Sequence, residues 1–397
     1  MDVRVSASES SDTAMAMAEV LADLNLEEAK APDFIAVHMS AAHDSAVVQC
    51  MLRATGVGAL HGGTSCLGVM TNAGLASREG AGLGVFAIWD PEGDYGSAMA
   101  DLSEDARTAA KDAIQKALQA ADRSGEIPDL VWLTAAPGQE EDIIEGLQEI
   151  LGDGVPIVGG SAADNTIAGE WGVFDSEATR TNGVMVSVLF PSRPLFSAYQ
   201  SGYAPSELQG KVTAAEGRRL IEIDGRPAAA VYSEWTGLTL DLQPHDDPKM
   251  ILGESTLMPL GREASLVADV PFYLLSHPAY ANPDGSIDLF SEIAVGENIT
   301  LMQGAVESLT ARAGKVASMA CEKGRLQPND VAGALVVYCG GCMLAVREHM
   351  ARVAQGIDEA LNGAPFLGVF TFGEQGPVID SQNRHGNLMI SCVSFAK

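Results

Sequence analysis

The run VPIVGGSAADN, Val155 to Asn165, decides the fold. Its short apolar opening stops at a glycine pair and passes into small polar residues, which is how a strand buried on both faces empties into a tight loop. Before it stand the apolar run DLVWLTAAPG, Asp129 to Gly138, and a helical stretch from about Gln139 to Leu151; after it comes GVMVSVLF, Gly183 to Phe190. The helix is loaded with acid in its first turn (Gln139-Glu140-Glu141-Asp142), points Ile143, Leu147, Ile150 and Leu151 inward, and stops at Gly152.

The same succession occurs twice more. One copy reads DFIAVHMS, a helix from about Asp44 to Thr55, ALHGGTSCLGV and GLGVFAIW; the other reads GALVVYCGGC, a helix from about Leu344 to Leu361, APFLGVFTFGEQG and GNLMISCVSF. Each copy is a β-α-β-β unit, with right-handed crossovers through the helices. The expected class is α/β: two domains with mixed, largely parallel sheets flanked by helices. A further helix carries the stripe Ala106, Ala110, Ile114, Ala117 and Ala121 behind a capping box of Asp101 and Glu104. RRLIEIDGRPAAAVYSEW reads as a hairpin about Asp224-Gly225 followed by a helix. The expected divisions are an N-terminal helical extension over 1–30, a first domain over 31–217 and a second over 218–397.

Twenty-four Lys and Arg against 53 Asp and Glu leave a net charge of −29, so nucleic acid and anionic membranes are repelled over most of the surface. No run has the roughly 18 apolar residues of a spanning helix, and MDVRVSASESSDT has no signal-type apolar stretch. Six cysteines in 397 residues point to free thiols in a reducing compartment, hence a cytoplasmic expectation. An organellar chain trimmed of its transit peptide reads the same way.

Five motifs in order resemble the FIST family: HGGTS (His61 to Ser65), VPIVGGSAAD (Val155 to Asp164), LIEIDGRPAAAVY (Leu220 to Tyr232), LMQGAVESL (Leu301 to Leu309) and PFLGVFTFGEQGP (Pro365 to Pro377). The resemblance implies a sensory module of N-terminal and C-terminal domains that holds a small molecule such as an amino acid. The chain carries no kinase, methyl-acceptor or DNA-binding segment, so its output is expected to pass to a separate signalling partner. Two departures from the family pattern each introduce a thiol. Cys66 follows the first Gly-Gly element, and Cys342 stands where the family places an Arg, with Arg347 further on.

Ligands of parallel α/β sheets sit beyond the carboxyl ends of the strands, where backbone N–H groups are free. The expected binding residues are therefore Gly62, Gly63, Thr64, Ser65, Gly159, Gly160, Ser161, Asp164, Gly341, Arg347, Glu374 and His385, in one pocket between the domains. The glycine pairs either seat a ligand carboxylate or simply permit tight turns. Glu374 either meets a ligand ammonium, caps a helix or pairs with an Arg. Cys66 and Cys342, each placed after glycines, are the candidate catalytic thiols of a cofactor-independent racemase, lyase or hydrolase; the alternative is inert packing. Cys50, Cys321, Cys339 and Cys392 read as core. The seven histidines form no metal motif, and CGGC lacks a second CxxC, so no metal is expected. Non-covalent haem would need His61, His349 or His385 as axial ligand.

Overall fold

A computed structural model of the chain describes residues 1–26, 30–102, 105–267, 270–378 and 382–397. Each copy proves longer than β-α-β-β, because an edge strand and a helix precede it. The first copy runs through strand Asp2–Ser8, helix Thr13–Asp23, strand Phe34–Met39, helix Ser45–Arg53, strand Ala59–Thr64 and strand Leu83–Trp89. The second runs Asp94–Asp101, Ala106–Ala120, Leu130–Ala135, Glu140–Leu151, Ile157–Ser161 and Gly183–Phe190 in the same order of types. The third runs Leu195–Ser201, Val306–Lys323, Val331–Cys339, two helices Gly340–Ala345 and Met350–Ala360, Phe366–Thr371 and Met389–Ala396.

Four local expectations change. The 1–30 segment is not purely helical: Asp2–Ser8 pairs antiparallel with Leu83–Trp89. Its alternation of Val3, Val5 and Ala7 with polar residues is the half-buried strand pattern. The last helix is interrupted at Val346, whose ψ of 22° leaves the helical range. Asp101 closes a strand, and the following helix is capped instead by Asp105, which accepts the N–H groups of Arg107 and Thr108; Glu104 lies outside the described residues. Ile150 is partly exposed, while Ile143, Leu147 and Leu151 are buried.

The three copies build three six-stranded mixed sheets, each with one parallel pair at its centre: Phe34–Met39 with Ala59–Thr64, Leu130–Ala135 with Ile157–Ser161, and Val331–Cys339 with Phe366–Thr371. All other pairings are antiparallel. Between its last two strands each copy sends out a hairpin that completes another copy's sheet. Val69–Thr71 and Gly74–Ala76 extend the third sheet, Val173–Phe174 and Thr179–Arg180 the first, and Glu374–Pro377 and Asn383–Gly386 the second. The exchange is cyclic, so the arrangement is pseudo-threefold.

Glycine makes this exchange possible. A Cβ on Gly62 would lie 2.3 Å from two ring atoms of Phe174, the residue paired with it across the sheet. A Cβ on Gly160 would lie 2.3 Å from the Thr371 methyl carbon.

The symmetry is broken once. In the third copy, residues 204–303 are inserted between strand Leu195–Ser201 and helix Val306–Lys323 and form a nine-stranded antiparallel sheet with its own core of Val212, Leu220, Ile223, Tyr232, Leu260 and Ile299. Asp224 and Gly225, both at positive φ, turn its hairpin, and helix Ala228–Thr236 follows as read from sequence.

Gly62→Ala is expected to lower stability by about 1–3 kcal/mol, because the added methyl must displace a buried ring in a close-packed interior. The check is a lowered urea midpoint with an unchanged m-value.

Candidate functional site

At their carboxyl ends the central strands lean on one another in a ring of backbone hydrogen bonds. Cys66 N–H donates to the Phe370 carbonyl (3.0 Å), Ala163 N–H to Thr64 (3.1 Å) and Phe372 N–H to Ser161 (3.2 Å). The loops singled out in the sequence therefore meet at one place, one from each copy. Gly62, Gly63, Gly159 and Gly160 lie within the strands, packed against neighbouring side chains and backbone. Thr64 Oγ1 accepts from Gly172 N–H, and Ser65 Oγ donates to the Gly68 carbonyl while accepting from Phe370 N–H.

The charged and thiol groups at this meeting point are largely consumed by the fold. Asp164 is fully buried, and its carboxylate accepts backbone N–H groups from Thr166, Ile167, Ala168 and Glu170, which curls the following loop around it. Glu374 is also fully buried: Oε1 accepts from the Thr371 hydroxyl (2.8 Å) and Oε2 from Met389 N–H (2.9 Å). Burial, with the Cys339 thiol alongside, raises its pKa well above the ordinary carboxyl value. Burial thus favours the neutral form of this carboxyl, which weakens it as a partner for a ligand ammonium.

Cys66 follows its strand into a turn, not a helix, and no dipole lowers its pKa. Burial pushes it up to about 12, with smaller contributions from Cys339 and Asp164. Cys342 lies inside helix Gly340–Ala345 and is fully buried, its Sγ 3.5 Å from the Tyr203 hydroxyl. Arg347 is exposed.

His385 lines a separate, charged cleft of ≈ 520 Å³, and the buried Ser161 lies behind it, bonded to Glu140. Ser161 Oγ donates to Glu140 (2.6 Å), and Arg218 donates to Glu140 (2.5 Å) and Glu141 (2.6 Å). Burial opposes ionisation of Glu140, but His385, Arg218 and the Ser161 hydroxyl outweigh it and hold the pKa down to about 2. Glu141, Arg262, Glu292, Arg384 and His385 line the cleft. Ligand atoms of Glu140, Glu141 and His385 lie within 4.8 Å of one another, although Arg218 already spans both carboxylates.

Of the proposed haem ligands, His61 is buried with both ring nitrogens engaged, by Ser187 (2.8 Å) and Thr134 (2.8 Å). His385 is engaged by Gln375 and the Phe290 carbonyl, and His349 ends a 3-10 turn.

Beside the ring, where the insert closes over the third copy, lies a recess of ≈ 430 Å³. The insert contributes Met250, Leu252, Gly253, Thr256, Leu257, His277 and Phe290. The third copy contributes Cys339, Gly341, Leu344, Ala345, Phe372 and Asn387, and the Asp164 loop of the second adds Ile167. No Asp, Glu, Lys or Arg is among these residues. Burial lowers the His277 pKa to about 4, a hydrogen bond with the Leu252 carbonyl opposing only in part, so at neutral pH this ring too is uncharged. Asn387 is 1% exposed; its Oδ1 accepts from His277 N–H, and its Nδ2 has no protein partner.

Of the sequence-selected residues only Gly341 lines the recess, although Cys66, Asp164, Glu374 and Cys342 stand just behind its wall. Cys339, read as core, is the thiol on the wall. His277 and Asn387 went unnoticed, and only the asparagine of RHGNLMI, a polar residue in a turn before the last buried strand, gave any hint.

Glu374→Gln should change stability by less than about 1 kcal/mol below pH 4.5, where the carboxyl is neutral in both the folded and the unfolded chain, since the amide keeps the shape, its oxygen can accept the Met389 N–H and its NH2 can donate to the Thr371 hydroxyl. The folded pKa of Glu374 lies above its unfolded value. Wild type therefore loses stability relative to Glu374→Gln as pH rises from 4.5 toward the folded pKa, the window in which only the folded state keeps the proton. Urea midpoints of both proteins across that range are the check.

An uncharacterized protein of Mycobacterium bovis is 28% identical over 246 residues, which cover 59% of this chain and 58% of that protein. An uncharacterized protein of Mycobacterium tuberculosis is 28% identical over 256 residues, covering 62% of each. The chain thus spans less than two thirds of the length of these relatives. Among solved structures, the cyanuric acid hydrolase from A. caulinodans is aligned over 100% of this chain and 99% of that one at a TM-score of 0.42 and 10% identity. No helix among the described residues is long and apolar enough to cross a membrane. The FIST N domain matches residues 33–226 and the FIST C domain residues 228–377, and the chain belongs to the FIST family, whose domains are generally sensory and bind small ligands.

Proposed function

We propose that the protein is a sensory-type receptor whose small ligand lies in the recess between the insert and the third copy. The observation that carries this reading is Asn387, a residue of the recess wall whose buried Nδ2 has no protein partner, in a cavity lined by no Asp, Glu, Lys or Arg. Buried donors are nearly always paired, so one left open beside a cavity is a place for a ligand acceptor. A free carboxylate would enter without a cationic partner and at a high desolvation cost. The recess therefore favours an apolar body ending in an amide, ester, ketone or protonated carboxylic acid over an ionised amino acid. In this reading the output passes to a separate protein in the reducing cytoplasm, which the six free thiols support.

A second reading has its own observation. The cleft of Glu141, Arg262, Glu292 and Arg384 presents both signs of charge, as a free amino acid would require. A cysteine enzyme acting through Cys66 or Cys342 has less support, since neither thiol lines the recess.

The test is native mass spectrometry of the purified protein, followed by thermal-shift titration with short amides, esters, carboxylic acids and amino acids. Leu344 is 50% exposed at the rim, so Leu344→Trp fills the mouth without disturbing the core. It is expected to weaken binding of the uncharged ligands by at least roughly tenfold while Arg384→Ala leaves it unchanged. The reverse pattern, amino acids binding in a manner sensitive to Arg384→Ala alone, would establish the charged cleft instead.

A further inference from the structure

Cys339-Gly340-Gly341-Cys342 lacks the partners of a zinc site, but it sets two cysteines across the start of a helix. Cys339 ends the central strand of the third sheet as N-cap of helix Gly340–Ala345, and Cys342 lies three residues on, in that helix's first turn. The Cys342 thiol and the backbone N–H groups of Gly341 and Cys342 lie beside the Cys339 sulfur. A Cys-x-x-Cys pair spanning the start of a helix brings its sulfurs together without backbone movement, the arrangement used by thiol–disulfide exchange sites.

The two cysteines are unequal. Cys339 is on the wall of the recess, whereas Cys342 is fully buried behind it against Tyr203. Both thiols are buried, but only Cys339 belongs to the wall of the recess, and Cys342 lies behind it. We infer that Cys339 and Cys342 form a dithiol–disulfide pair, with Cys339 as the attacking thiol, Cys342 as the resolving thiol, and low-molecular-weight disulfides as the oxidant.

The chemistry closes without another reagent. The Cys339 thiol loses its proton and its sulfur attacks the incoming disulfide; a mixed disulfide forms, the old sulfur–sulfur bond breaks and one small thiol leaves with the proton. Cys342, losing its own proton, then attacks Cys339; the protein disulfide forms and the second small thiol leaves. Two protein thiols are oxidised and one small disulfide is reduced. Burial holds Cys339 in the thiol form, with the Cys342 thiol adding to the effect, so exchange is slow at neutral pH and accelerates as pH rises. Equilibrium is therefore the proper measure.

The experiment is to equilibrate the folded, full-length protein with mixtures of reduced and oxidised glutathione, quench with acid, alkylate, and map the products by mass spectrometry. As the oxidised fraction grows, two of the six thiols should be lost together, as a link within the peptide carrying Cys339 and Cys342. Cys342→Ser should instead accumulate one glutathionyl group on Cys339, and Cys339→Ser should leave Cys342 reduced. Near-UV circular dichroism verifies that each variant is folded. A link from Cys339 to Cys66, glutathionylation of Cys342 in the Cys339→Ser variant, or formation of the pair only in urea would each overturn the assignment. So would the absence of any link at the most oxidising ratio.

Discussion

Every backbone N–H and C=O at the edge of a buried strand must find a partner, and in this protein that requirement is met across the repeats. Strand Ala59–Thr64 is closed by Val173–Phe174, Ile157–Ser161 by Glu374–Pro377, and Phe366–Thr371 by Val69–Thr71. No copy can satisfy its own edge with its own hairpin. The two family segments are therefore interlaced, since a hairpin from the first part completes the third sheet and the hairpin of the third copy completes the second. Cooperative folding of the whole unit follows from the same hydrogen bonds.

The exchange also explains the polar groups buried where the strands meet. Glu374 opens a donated hairpin, and its side chain ties Thr371 on one strand to the Met389 N–H that starts the next. Asp164 performs the corresponding task in the second copy by gathering four N–H groups of a loop that would otherwise lie open. One carboxyl is held neutral beside a thiol, while the other is satisfied wholly by backbone donors. Both are structural devices by their partners, and both stand directly behind the ligand-sized recess.

Much of the fold was legible because long buried strands leave a strong imprint. Short apolar runs rich in β-branched residues, such as ALVVY and VMVSVLF, read as buried strands, and repetition in triplicate gave their order. The hairpin exchange was not legible, since strands of two to four residues carry no periodicity and pairing between copies leaves no local mark. The edge strand Asp2–Ser8 was passed over because a half-buried strand before a helix resembles an extension. The site was legible in part only. The sequence picked the loops that meet, but in a continuous apolar run it could not tell which of Cys339 and Cys342 faces a cavity. His277 and Leu252 lie in the insert, where nothing in the motif pattern points inward.

Threefold repetition offers three equivalent strand ends, and left alone it would make three shallow, equivalent depressions. The insert of residues 204–303 acts on one of them. By entering between the first strand and the first helix of the third copy, it lays His277, Phe290 and the 250–257 segment opposite Gly341, Phe372 and Asn387. The lock is polar and specific: Asn387 accepts His277 N–H through its side chain and donates its own N–H to the Leu275 carbonyl. The same asparagine thus fixes the insert over the core and keeps one donor for whatever the recess holds. On the proposed reading, sensing would need no chemistry, because an occupant engaging both walls would change how firmly the insert is held to the repeats. A disulfide in the CGGC turn would alter one of those walls and leave the other untouched, so ligand and redox state would act on a single interface.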